Sequence, residues 1–119
     1  MNAIRLADKL AAFQDHFSPK VIAELNGHEV KVVKFQGSFV WHHHDNEDEL
    51  FLVLAGRFRM DFRDREVWVE TGALIVVPRG TEHCPHADHE VSVLLLEPAS
   101  TLNTGNVQSE RTIDRPDKL

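Results

Sequence analysis

The chain has one cysteine, Cys84, in 119 residues. A lone thiol excludes an internal disulfide framework and fits a reducing cytoplasm. Positive charge is not in surplus either. Thirteen Lys and Arg face nineteen Asp and Glu, for a net charge of −6. The basic residues are scattered and form no stripe, which argues against nucleic acid as a partner. No apolar run approaches the ~18–20 residues of a membrane helix. Asp8, Lys9, Gln14 and Asp15 interrupt the N-terminal region, so neither a secretory leader nor a membrane anchor is expected. Low-complexity tracts and internal repeats are missing too. The 42% hydrophobic and 27% charged fractions are ordinary for a soluble protein. The length lies well below the ~250 residues at which one core divides into two. A single small cytoplasmic domain is the expectation.

Histidine is what the chain has in excess. Of eight histidines, six fall between positions 42 and 89, and His42, His43 and His44 are consecutive.

Around that cluster the periodicity is that of strands. Residues 4–17 are the exception. Leu6, Leu10, Phe13 and Phe17 fall on one helical face, which predicts a short amphipathic helix stopped by Ser18-Pro19. Asn26-Gly27 between Val21–Leu25 and His28–Phe35 predicts a hairpin. Further strands are predicted over Phe39–His44, Glu49–Leu54, Arg57–Arg63, Glu66–Glu70, Ala73–Val77 and Glu90–Leu96. About eight short strands with tight turns argue for an all-β sandwich or barrel. The chain therefore divides into an N-terminal helical segment (1–19), a β domain (20–97) and a polar C-terminal tail (98–119) carrying Pro98, Gly105 and Pro116.

Two blocks carry chemistry. On an extended segment alternate side chains share a face, so His42 and His44 point one way and His43 the other. Two imidazoles so placed can share a metal ion. Glu49 opens the apolar stretch Leu50–Leu54, where a carboxylate is costly unless paired or liganded. In the second block, Gly72 precedes an apolar strand that ends at Pro78-x-Gly80. That turn can carry His83 back toward the same end of the barrel.

These blocks resemble the two motifs of the cupins, G-x5-H-x-H-x3–4-E-x6-G and G-x5-P-x-G-x2-H-x3-N. His42-x-His44, Glu49 and Gly56 match the first; Gly72, Pro78-x-Gly80 and His83 match the second. Gly37 stands one residue closer to His42 than the pattern has it, and Ala87 stands in place of the asparagine. The resemblance covers about residues 30–97 and extends to small stand-alone cupins. It implies an all-β, single-domain cupin, a double-stranded β-helix or jelly-roll-like barrel with a short N-terminal helix. It also implies that His42, His44, Glu49 and His83 are metal ligands.

Three imidazoles and one carboxylate suit one divalent transition metal ion (Fe, Mn, Ni, Zn or Cu) rather than Ca or Mg. On an octahedral ion they leave two open positions and a net charge near +1, which favours a small anionic or chelating molecule. The expected function is metal-dependent chemistry on a small anionic or enolisable molecule, of oxygenase, isomerase or lyase type. The alternative is a non-catalytic module that binds or senses a small ligand. Phe51, Val53, Phe58, Met60 and Phe62 are expected to line the barrel interior, and His86 joins them if a bulge turns it inward. Cys84 should face away from the ligands, and His43 and His89 should lie outside the site. Leu50, Leu52 and Leu54 form an outward apolar face, to be covered by the N-terminal helix or by a second copy in a homodimer.

Overall fold

Alternation of side chains builds the barrel. In the segment from Glu49 to Ala55, Phe51 and Val53 are buried while Leu50, Leu52 and Leu54 are half-buried on the opposite face. The computed structural model describes residues 1–119. It contains one helix, α1 (Leu6–Ala11), and seven strands. The strands are β1 (Lys20–Leu25), β2 (His28–Ser38), β3 (Glu49–Ala55), β4 (Arg57–Phe62), β5 (Glu66–Glu70), β6 (Leu74–Val77) and β7 (His83–Pro98). No helix is long and apolar enough to cross a membrane.

Strand β7 organises the sheet. Its first residues pair with β4, from Phe62↔His83 to Arg59↔His86. Its later residues pair with β2 on one side and β3 on the other. The resulting order is β1-β2-β7-β3-β6, with β5 attached to β4. The strand predicted over Glu90–Leu96 is thus the second half of a longer one. Between the two halves the β2 register shifts at Phe35/Gly37. The core beneath contains Val53, Phe58, Met60, Val69, Val77, Val91 and Val93. Each such side chain, fully buried, contributes about 1.5–3 kcal/mol. The predicted hairpin forms at Asn26 (φ 51°) and Gly27 (φ 79°), the two left-handed positions of a type I′ turn.

Two expectations are corrected. The helix predicted over 4–17 ends at Ala11. The carbonyls of Leu10 and Phe13, which a longer helix would offer to residues 14 and 17, instead accept bonds from Lys34 Nζ at 2.6 and 2.9 Å. Phe13 then packs with Ile22 and Val32 under Leu6, Leu10 and Leu54, outside the sheet. Phe17 turns into the barrel mouth instead. Its backbone is left-handed (φ 57°), and its ring stacks on Phe35 and Phe39 at 5.3 and 5.0 Å.

Second, Phe39–His44 is not a strand of the sheet. It is tied to β7 only where Phe39 N–H donates to the Pro85 carbonyl at 3.0 Å and where His42 and His83 exchange backbone bonds of 3.1 and 2.9 Å. The polar tail, residues 98–119, folds back over the barrel. Asn106 pairs with the His43 backbone through both its N–H (3.0 Å) and its Oδ1 (2.9 Å), and Thr104 is fully buried. Near the C-terminus, Val21 bonds to Asp117 and Leu119 to Val21.

Gly105 is where this strap lies closest to the histidine segment. Its φ is +55°, and a Cβ there would collide with the His43 carbonyl oxygen. Gly105→Ala should cost about 1–3 kcal/mol, read as a lower urea midpoint at unchanged m. An equally large loss with Gly37→Ala, where a Cβ meets nothing within 4 Å, would show that backbone strain rather than the strap is responsible.

Candidate metal centre

The strap and the His42–His83 bridge hold the segment extended, so alternation survives without a sheet. His42 and His44 are buried and His43 is half-buried. The loop after His44 is pinned to the Pro78–Gly80 turn. Gly80 N–H donates to the His44 carbonyl at 2.7 Å, and Arg79 N–H donates to Asp48 at 2.8 Å. That brings Glu49, first residue of β3, beside His83, first residue of β7.

Ring orientation follows from hydrogen bonding. His42 Nδ1 lies 2.8 Å from the Val40 carbonyl, and His83 Nδ1 lies 2.8 Å from the Thr81 carbonyl. A carbonyl only accepts, so each Nδ1 carries the proton and each Nε2 keeps a free lone pair. Glu49 Oε1 stands 2.8 Å from His44 Nε2 and 3.3 Å from His83 Nε2. One ligand atom from each of His42, His44, Glu49 and His83 lies within 4.8 Å of the other three. His44 Nε2, His83 Nε2 and Glu49 Oε1 are buried with no hydrogen-bond partner. Acceptors that face one another without a proton repel. A cation among them removes that cost, so the donor set fits a metal ion.

Beside these atoms lies a cavity of about 50 Å³. Phe17, Phe35, Phe39 and Phe51 form its walls, and His42, Glu49 and Glu97 supply charge and polarity at its floor. Among the expected lining residues, Phe51 is in place. Val53, Phe58 and Met60 pack in the core without lining the cavity, and Phe62 packs at its margin with Arg65 over its ring. His86 bonds to Ser38 Oγ (2.7 Å) and Asp88 (2.8 Å) outside the cavity. β7 stays in register with β4 as far as His86, so the bulge opposite Gly37 comes too late to turn it. Cys84 is buried, and burial pushes its thiol up.

The Cupin domain family model matches residues 28–97. The chain belongs to the cupin family. This cupin is 37% identical over 83 residues to the uncharacterized protein YdbB of Bacillus subtilis (strain 168), spanning 69% of this chain and 71% of that one. The crystal structure of a cupin-2 domain containing protein from Shewanella frigidimarina has 42% identity and a TM-score of 0.80, over 81% of this chain and 94% of that one. That of protein NMB1881 from Neisseria meningitidis has 28% identity and a TM-score of 0.76, over 82% and 100%.

Sequence reasoning missed three walls of the cupin chamber, Phe17, Phe35 and Phe39, and its second acid, Glu97. Glu97 continues the inward series Val91, Val93, Leu95 on β7, and it is 2% exposed. An acid at an inward position of an apolar strand was the available signal. Burial, then the charge of Glu49, push the Glu97 carboxyl well above the usual range. Burial acts the same way on Glu49, but the groups that face it, Glu97, His44 and His83, outweigh it and hold Glu49 well below. Burial, reinforced by His83, lowers His42 to about 4. His42 in the metal-free protein should therefore titrate near pH 4 rather than 6.5, followed by its ring chemical shifts in NMR. A midpoint above 6 would contradict a dry environment in which the His83 ring faces His42.

Proposed function

We propose that this cupin holds one divalent transition metal ion on His42, His44, Glu49 and His83 and acts on a small anionic or enolisable molecule. The convergence of buried acceptor atoms beside a cavity carries the reading. Bound there, such an ion supplies Lewis-acid polarisation or an oxygen-binding centre, consistent with oxygenase, isomerase or lyase chemistry. The chain's own residues do the rest. Val40 and Thr81 fix the imidazole tautomers, and the phenyl rings of Phe17, Phe39 and Phe51 keep water from the floor. A volume of about 50 Å³ has room for roughly three to five water-sized groups, which bounds the ligand to a small one. A non-catalytic binding or sensing module is the second reading. The mostly apolar walls favour it, since they place few acid–base groups near a ligand. Recovery of a ligand unchanged after it has raised the Tm would select this reading. The single thiol, buried at Cys84, supports a cytoplasmic setting.

A homodimer fits the outer face. Leu74 and Val76 on edge strand β6 are 57% and 50% exposed, and they pair with half-buried Leu52 and Leu50 of β3. Leu94 and Leu96 of β7 extend the strip, while α1 covers only its far end near Val30 and Leu54. We infer that a second copy covers the rest.

Two outcomes test these readings. Metal at a hundred times its Kd should stabilise the chain by about 2.7 kcal/mol. In His83→Ala that stabilisation should vanish, with metal content by elemental analysis falling in parallel; retention of both would remove the metal reading. Light scattering at micromolar concentration should give a dimer mass for the parent and a monomer mass for Leu74→Lys with Val76→Lys. A monomeric parent would remove the dimer.

A further inference from the structure

Glu97 has no counterpart in the two motif blocks, and its surroundings are unusual. β3 and β7 pair Phe51 with Leu95 and Leu50 with Leu96. One step further, the same antiparallel register sets Glu49 beside Glu97 on the inward face. Both are buried, at 4% and 2% exposure. Two acids opposed across strands in a dry interior destabilise a sheet, and nothing in the packing of β7 requires one there.

Lys31 answers part of that cost. It is itself buried, and its Nζ lies 2.8 Å from Glu97 Oε1. Yet Lys31 already has a carboxylate in Glu29, at 3.6 Å, so its charge alone does not call for Glu97. Apolar side chains in place of a buried Lys–Glu pair commonly leave stability unchanged or higher. What remains is the other face of Glu97. Oε2 is buried without any hydrogen-bond partner, and the strand register sets the carboxyl group beside Glu49, with which it lines one cavity.

We propose that Glu97, anchored by Lys31, is the positioning residue of the metal centre, holding Glu49 in the orientation that aims Oε1 at the imidazoles of His44 and His83. Without it, Glu49 is free to swing into the cavity whose floor it already borders. The inference rests on the metal reading above. Residues that orient a metal ligand are typically worth about 10–100-fold in affinity.

The test uses Co²⁺ as the probe on the full chain, with chelator competition for affinity and the d–d absorption bands for coordination. Lys31→Met with Glu97→Leu should keep the metal-free Tm, whereas Glu97→Leu alone, which strands a buried ammonium, should lower it. Both should lose about 10–100-fold in Co²⁺ affinity and show displaced bands. Glu97→Gln, which keeps a polar group against Glu49, should retain parental bands and most of the affinity. Parental affinity and bands in the Leu variants overturn the proposal. So does an equal loss in the Gln variant, which would make the requirement one of charge. A parent that binds no Co²⁺ removes the metal reading itself, an outcome distinct from either.

Discussion

Two backbone hydrogen bonds between His42 and His83 hold the candidate site together. They join the histidine segment to the start of β7, and the one other backbone bond from that segment to β7 runs from Phe39 N–H to the Pro85 carbonyl. A single bridge is a weak hold on a chain carrying two buried imidazoles. The structure therefore adds bonds around it. The His43 backbone is gripped by Asn106 from outside, and the His44 carbonyl by Gly80 from below. Each added bond acts on the backbone and leaves the ring nitrogens free. That division follows from what the site needs, since a protein donor pointed at Nε2 would compete with a cation.

The same separation explains the irregularity of the segment. In a full ladder, residues 39–44 would lie within the sheet and pack like their neighbours. Held at its ends and at one bridge, the segment crosses the barrel mouth. There His42 can meet Phe39 edge-on at 5.4 Å and His83 at 4.3 Å, and both rings reach one point. Irregular backbone commonly carries function where a rigid scaffold positions it, and here β3 and β7 are that scaffold.

The histidine alternation, the costly acid at the head of an apolar strand and the Pro78-x-Gly80 turn were legible because each is a local pattern with a local cause. What was not legible depended on partners far along the chain. Residues 4–17 have helical spacing, but the helix ends where Lys34 takes its carbonyls, and no periodicity within 4–17 contains that information. The tail is polar, with no apolar repeat to announce its docking. Its attachment relies on Thr104, Gly105 and Asn106 meeting the backbone of His43. His86 failed for a geometric reason: the bulge that could have redirected it falls after it along β7. Glu97 was legible in principle, as an acid in the inward series of a strand, yet its significance appears only once the register places Glu49 beside it.

The two chain ends give the chamber its asymmetry. Phe17, from the N-terminal segment, stacks on Phe35 and Phe39, while Arg111, from the C-terminal strap, sits 4.6 Å over the Phe17 ring. The walls are thus apolar and the mouth carries a cation, while the floor holds the acceptors and the Lys31–Glu97 pair. Charge bookkeeping then constrains what enters. Glu29 at 3.6 Å and Glu97 at 2.8 Å answer the charge of Lys31, so a divalent ion on three neutral imidazoles and Glu49 would leave the floor near +1. An anionic group would be drawn toward such a floor, and the phenyl rings, poor solvents for charge, would hold it only where it reached the ion. A molecule too short to span the cavity would leave its charge among aromatic faces. One too long would have to displace Phe17, whose left-handed backbone and stacked ring make it the most constrained group at the entrance. Under the proposed reading, size and charge would be selected by the same wall.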